Sequence, residues 1–240
     1  MSEEPKSDYD EYPKTLARDD FWGQVRRTID GRRIGEDDVR QIVDAIRTAL
    51  ALGPDDVLLD LACGNGALGS RLFDDCSGAL GVDSSRYLIE IADEYFARPP
   101  AYTFLAADVV DYVRSGPRPA RFTKALCYGS MMFLSAEQLA AMLTELRRRF
   151  PAVQRLMLGN VPDRERAARF CEDNPEIRSL DLDDPAAQAG RWWSQEDLTA
   201  LALRCGWEST RVSRLSPDVF NARYRYDMTL VAAATTSAPI

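Results

Sequence analysis

The 240-residue sequence contains no histidine. Histidine is the commonest general base and the commonest metal ligand, so Ser–His and Cys–His catalysis are excluded in this chain. The five cysteines, at positions 63, 76, 127, 171 and 205, are odd in number, widely spread, and form no C-x-x-C pair. That pattern argues against a zinc site and a disulfide framework, and no metal is expected. Lysine is scarce: only Lys6, Lys14 and Lys124 occur, arginine supplies the remaining positive charge, and the net charge is −8. Nucleic-acid binders need a basic face that displaces counterions from phosphates. The one basic triplet, Arg147-Arg148-Arg149, ends an amphipathic segment, where cations complement the helix dipole. No nucleic-acid partner is expected. Nor does any run approach the ~18 apolar residues of a membrane helix. The acidic start, Met1-Ser2-Glu3-Glu4-Pro5, is no secretory h-region. The expectation is a cytoplasmic protein with no membrane partner.

What is present is an ordinary globular composition, 45% hydrophobic, in which apolar and polar stretches alternate with a βαβ rhythm. Val39, Ile42, Val43, Ile46 and Leu50 recur at helical spacing, and Gly53-Pro54 ends that helix. Short apolar runs at 57–61, 79–83, 102–106, 123–128 and 156–161 read as buried parallel strands. Helices are expected after the glycine loop (through Leu68, Leu72 and Phe73), around Leu88–Ala92, over 136–149 and over 194–203, the last with Ser194 as N-cap. Two β-rich stretches, 207–215 and 226–234, have no helix between them and should pair antiparallel. The length suits one domain with a modest cap: an N-terminal arm, lid and cap helices over 1–53, then a Rossmann-like domain over 54–240 with an insertion near 163–193. The fold class is α/β: a mostly parallel seven-stranded sheet, helices on both faces, and an antiparallel C-terminal hairpin.

Gly64-Asn65-Gly66-Ala67-Leu68-Gly69 matches G-x-G-x-x-G between a strand and a helix, where glycines let backbone amides approach a ligand. Asp83 follows the next strand, nineteen residues after Gly64, the place of a ribose-binding carboxylate. A nicotinamide dinucleotide site shares both features. Asp60, four residues before Gly64, separates the two: a carboxylate there repels a diphosphate but attracts a sulfonium.

Val57-Leu-Leu-Asp60-Leu-Ala62-Cys-Gly64-Asn65-Gly66 resembles the first motif of class I S-adenosylmethionine-dependent methyltransferases. Gly81-Val-Asp83-Ser84, Ala106-Ala-Asp108-Val109 and Lys124-Ala-Leu-Cys127-Tyr128-Gly-Ser130 resemble the second, third and fourth, in order and correctly spaced. The resemblance is strongest over 55–160; Phe21-Trp22-Gly23, Gly159-Asn160-Val161-Pro162-Asp163 and Trp192-Trp193-Ser194 extend it to a small-molecule bacterial branch. It implies S-adenosylmethionine as cofactor and S-adenosylhomocysteine (SAH) as product. Asp60, Ala62, Gly64, Asn65, Gly66, Asp83, Ser84, Asp108, Val109, Cys127 and Trp22 would then contact the cofactor. The competing, weaker readings are that Asp108 is only a helix N-cap and Asp60 only a loop-stabilising acid.

Methyl transfer is an in-line displacement on a carbon the cofactor has already activated, so the protein must align the nucleophile and exclude water. The implied function is transfer to an N or O atom of a small-molecule acceptor in a biosynthetic pathway. A non-catalytic cofactor-binding subunit and an NAD-dependent oxidoreductase stay open as alternatives. Tyr128 is the candidate catalytic residue. Tyr9, Tyr12, Tyr128, Ser130, Met131, Asn160, Trp193 and Tyr224 are candidate acceptor contacts, from the carboxyl ends of strands, the arm and the far wall. Arg191, Arg223 and Arg225 could hold an acidic acceptor group or be solvated surface arginines. Oligomeric state is not legible.

Overall fold

A computed structural model describes residues 9–29, 32–174, 181–187, 189–219 and 222–232. The arm carries a 3₁₀ turn, Tyr12–Thr15, a one-turn helix α1 (Phe21–Gln24), and a two-stranded ribbon, β1 (Thr28–Ile29) with β2 (Arg32–Arg33). Helix α2 (Glu36–Leu50) buries the apolar stripe read from its spacing and ends at Ala51 in the left-handed conformation. The large sheet then builds from β3 (Val57–Leu61), β4 (Gly78–Asp83), β5 (Tyr102–Ala106), β6 (Lys124–Tyr128), β7 (Arg155–Pro162), β8 (Ser209–Ser213) and β9 (Arg225–Val231). Between them lie α3 (Arg86–Tyr95), α4 (Val109–Ser115), α5 (Ala136–Arg149), α6 (Ala167–Asp173) and α7 (Gln195–Arg204). The strand order is β5-β4-β3-β6-β7-β9-β8. The first five pairings are parallel except β7 with β9; β9 also pairs antiparallel with β8, giving the expected C-terminal hairpin.

Two apolar layers sandwich this sheet, and strand residues divide between them by parity. Leu59, Leu61, Ala125, Cys127, Leu156, Leu158, Tyr226, Met228 and Leu230 pack with α4, α5 and α7. Leu58, Ala79, Leu126, Tyr128 and Met157 pack with α2 and the segment 68–73 on the opposite face. Ser135 caps α5 in a reciprocal capping box with Gln138. Ser194 caps α7, accepting from the Asp197 amide at 2.9 Å, as the sequence suggests. The edge strand β8 is polar and mostly exposed, which blunts pairing with another chain.

One element differs from expectation. After the glycine loop the chain forms a 3₁₀ helix, Gly69–Asp75, in place of an α-helix. Gly69 and Ser70 are weak helix formers, and Gly69 is pressed on the Asp60 carboxylate: a Cβ there would stand 2.6 Å from Oδ2. The polar region after β7, where an insertion was expected, holds the short helix α6 followed by loops; residues 175–180 lie outside those described.

Phe150 is fully buried, with its ring 6.0 Å from Phe122 and 6.4 Å from Tyr112. Phe150→Ala leaves a cavity among them and is expected to lower stability by about 3–5 kcal/mol, read as a reduced urea midpoint with an unchanged slope.

Candidate functional site

The carboxyl ends of β3, β4, β6 and β7 open into a cavity of about 470 Å3, within the range of small-ligand sites. At one end lies the glycine loop. Gly66 sits at φ +76°, and a Cβ there would lie 2.7 Å from the Phe104 ring, so the turn requires glycine. Asp83, at the end of β4, holds this loop: Oδ2 accepts the Gly64 amide at 2.8 Å and Oδ1 accepts the Ser85 amide at 2.9 Å. Burial pushes the Asp83 carboxyl up, while those amides pull it down. Asp108 lines the same end and is at once the N-cap of α4, accepting the Val110 and Asp111 amides at 2.8 and 3.0 Å.

The arm roofs the cavity. Asn65 Nδ2 donates to the Phe21 carbonyl (2.8 Å) and to Gln24 Oε1 (2.9 Å). Gln24 is buried and donates back to the carbonyls of Ala17 and Arg18. Farther out, Ser85 Oγ donates to the Tyr9 carbonyl at 2.8 Å, and the Tyr9 ring meets Phe133 edge-on at 5.6 Å. This covering brings Tyr9, Trp22, Val25, Arg26 and Arg27 to the cavity wall.

At the other end stand Tyr128, Ser130, Met132, Phe133, Asn160, Phe170 and Arg225. Tyr128 is held against Gly159 of the neighbouring strand, where a Cβ would stand 2.1 Å from Cδ2. Burial raises its phenol well above the ordinary range, so Tyr128 is a proton donor and no base. Asn160 adopts φ +55°, a left-handed conformation that asparagine tolerates. Its amide donates to Asp227 Oδ1 at 2.7 Å. Arg27 reaches between the two ends: its guanidinium lies 5.1 Å from the Tyr128 ring, and Nη2 stands 3.6 Å from where a Gly129 Cβ would be. Burial lowers its pKa, opposed by Tyr128, Asp60 and Tyr9.

Of the residues expected here, Trp22, Ala62, Gly64, Asn65, Asp83, Ser84, Asp108, Val109, Tyr9, Tyr128, Ser130 and Asn160 line the cavity together. Several others do not. Cys127 faces the α4–α5 layer because its pleat parity is opposite to that of Tyr128, and burial pushes its thiol up to about 12. Met131 is wholly buried, and the neighbouring Met132 takes the wall position. Trp193 is a core residue whose indole donates to the Met131 carbonyl at 3.0 Å. Tyr224 packs on Phe170, which itself lines the cavity. Tyr12 lies behind the wall under the Arg26 guanidinium, 3.9 Å from its ring centroid. Asp60 is buried beneath the loop and Gly66 shapes the turn, and neither lines the cavity. Sequence reasoning missed Arg26, Arg27, Met132 and Phe133; for the arginines, their place directly after Phe21-Trp22-Gly23 was the only signal.

Residues 58–150 match a family model described as a methyltransferase domain. No curated protein matches the chain by sequence. Among solved structures, the chain is similar to magnesium protoporphyrin IX methyltransferase from Synechocystis PCC 6803 with bound SAH: 18% identity, 92% of this chain, 100% of that one, TM-score 0.62. It is similar to a chain of the Haloferax volcanii complex of the Trm112 methyltransferase activator with a methyltransferase: 15% identity, 96% and 99% coverage, TM-score 0.63. It is similar also to the methyltransferase domain of bacterial CtHen1: 17% identity, 82% and 100% coverage, TM-score 0.58. At such identities the likeness carries the fold.

Asn65→Ala removes both hydrogen bonds that strap the arm to the glycine loop and leaves Gln24 Oε1 buried without that donor. A loss of roughly 2 kcal/mol in arm attachment is expected, seen as faster limited proteolysis within 9–27 and weaker SAH binding by calorimetry. An unchanged cleavage rate would show that the strap carries no load.

Proposed function

Given that the chain carries the methyltransferase domain and fold of the class I S-adenosylmethionine-dependent enzymes, we propose that it transfers the methyl group to a nitrogen of a small-molecule acceptor held in the same cavity. The observation that carries this reading is the continuity of the cavity, which joins Asp83 and Asp108 to Tyr128 and Asn160 under one roof.

The residues present fit the cofactor. Asp83 spends one lone pair of each oxygen on the Gly64 and Ser85 amides and keeps acceptor capacity for two ribose hydroxyls. The same bond occupies the Gly64 amide, which a dinucleotide site would offer to a diphosphate, and this weighs against the NAD reading. Asp108 and the Val109 amide would take the adenine edge. Arg27, at the join between the two ends, would pair with the methionine carboxylate, and the Asp60 charge beneath the loop favours the cationic portion. When bound, the cofactor supplies an electrophilic methyl group activated by its sulfonium.

The chain's own part is binding, orientation and exclusion of water. Tyr128 stays protonated and can donate a hydrogen bond to the acceptor. At the acceptor end the described residues lining this cavity include no carboxylate, histidine or lysine; Asp227 stands in the adjoining side pocket, where it accepts the Asn160 backbone amide. A hydroxyl of ordinary acidity would need a positioned base there. An amine near neutral pH has free base already and loses its extra proton to solvent after transfer, which favours nitrogen as the nucleophile. SAH is expected to raise the melting temperature and NAD to leave it unmoved, and incubation of the loaded protein with cell metabolites should yield a product heavier by one methylene. Stabilisation by NAD and not by SAH would refute the reading.

Asp60 supplies a pH test. Burial pushes its carboxyl up to about 7, with Arg27 opposing and Asp83 adding to the rise. The folded state therefore binds this proton more tightly than the unfolded chain, whose aspartate titrates near ~4. Its contribution is fully present below that value and is lost as pH rises towards 7. Unliganded wild type should lose stability relative to Asp60→Asn across this window, measured as the difference in urea midpoints at pH 4, 5.5 and 7.5. A constant difference would mean that Asp60 titrates normally.

A further inference from the structure

Arg225 is 8% exposed, lines the acceptor end of the cavity, and also lines a small side pocket shared with Tyr128, Asn160 and Asp227. Its backbone is fixed as the first residue of β9, opposite Pro162 of β7, and its carbonyl accepts Arg214 Nη1 at 2.6 Å. Its side chain is not satisfied. Nε and Nη1 are buried with no hydrogen-bond partner. Among the described residues no carboxylate forms an ion pair with it, whereas nearby Arg223 pairs with Asp173 (3.3 Å) and Arg214 with Asp163. Compensation comes from the Trp192 ring, 5.3 Å from the guanidinium carbon, and from the nearby Tyr224 and Tyr128.

A guanidinium withdrawn from water without a counter-charge is costly to the fold, and such groups are retained where a ligand supplies the missing charge. The other arginines weighed with it are already engaged: Arg191 binds the Asp183 carbonyl and carboxylate, and Arg223 pairs with Asp173 on the surface. Among the described residues Arg225, like Arg26 and Arg27 of the arm, lines the cavity without a carboxylate partner. It stands at the end remote from Asp83, beyond Tyr128, so a group bound to it belongs to the acceptor and not to the cofactor.

Resting on the methyl-transfer reading above, we propose that the acceptor is a small carboxylic acid whose carboxylate is anchored by Arg225, with its nucleophile turned towards Tyr128 and Asn160. With Arg27 committed to the methionine carboxylate in that reading, one guanidinium remains for the acceptor, which suits a carboxylate better than a phosphate. Charge-assisted pairing of arginine with a planar carboxylate is strong and directional, and it would fix the nucleophile at the near-attack distance of ~3–3.5 Å from the methyl carbon.

The test uses the full chain saturated with SAH and three probes: benzoate, its neutral isostere benzamide, and phenyl phosphate. Binding is read by calorimetry and by tryptophan fluorescence, since Trp192 stacks on Arg225. Benzoate should bind with Kd of about 1 mM, benzamide and phenyl phosphate at least roughly tenfold more weakly. Arg225→Gln should weaken benzoate about tenfold or more, with SAH affinity kept; Arg225→Lys should fall between, and it decides the matter if Arg225→Gln does not melt cooperatively. Equal binding of benzoate and benzamide, tighter binding of phenyl phosphate, no benzoate binding, or full retention of benzoate by either variant would overturn the proposal. Failure of SAH itself to bind would instead strike the underlying methyltransferase reading, so the two failures are told apart.

Discussion

Side chains along a strand must alternate between the faces of the sheet, and the whole site depends on how that alternation falls. Asp60, Gly81, Asp83, Tyr128, Gly159 and Arg225 share one parity, while Leu59, Leu61, Val82, Cys127, Leu158 and Tyr226 share the other and form the larger apolar layer. One face therefore carries nearly all the chemistry and tolerates only small residues where large ones cross it. Gly81 gives way to Phe104 and Cys63, and Gly159 gives way to Tyr128. A shift of one residue in any central strand would send these groups into the opposite layer.

That chemical face is closed by the arm, and closure has an electrostatic cost. Covering the strand ends removes Asp60, Asp83, Arg27 and Arg225 from bulk water. Burial accordingly drives both carboxyls up and both guanidiniums down, Arg225 to about 10. The groups compensate unequally. Asp83 is satisfied by two loop amides, Asp60 and Arg27 stabilise each other's charge, and Arg225 has aromatic side chains alone. The degree of internal satisfaction thus falls from the glycine loop towards the acceptor end. A scaffold that binds an invariant cofactor can prebuild its contacts; the end that must admit and release an acceptor keeps its charge free.

Much of the fold was legible because the central strands are continuous apolar runs bounded by glycine, proline or acids, and because α2 and α5 carry clear helical stripes. Ser194 announced its helix by standing before two acids in the first turn. The 3₁₀ segment after the glycine loop was not legible, since its cause is the Asp60 carboxylate pressing on Gly69, a contact between strand and loop. Around the glycine loop, motif spacing picked out residues that line the cavity together. At the other end the sequence was less informative, because aromatic and sulfur residues look alike whether they face a ligand or a core. Met131 and Met132 are adjacent, yet one is core and the other wall; Trp193 packs in the core and Tyr224 on Phe170, and neither lines the cavity. Parity alone could have removed Cys127, since it cannot share a face with Tyr128. Arg27 and Arg225 come from opposite ends of the chain, and only the folded arm and hairpin bring them to one cavity.

The absence of histidine acquires a positive meaning in this setting. Methyl transfer asks no acid–base work of the enzyme when the nucleophile arrives deprotonated, and the acceptor end offers a raised phenol, an amide and a guanidinium, all of them donors or neutral. Donors of this kind orient an acceptor and hold its charge, but they do not take a proton. An anion at Arg225 would also lower the local positive potential left by Arg27 and by a sulfonium, favouring approach of the nucleophile without adding a base. Charge complementarity, enclosure and alignment would then carry the rate, and the sequence's lack of histidine is consistent with a site that does not need one.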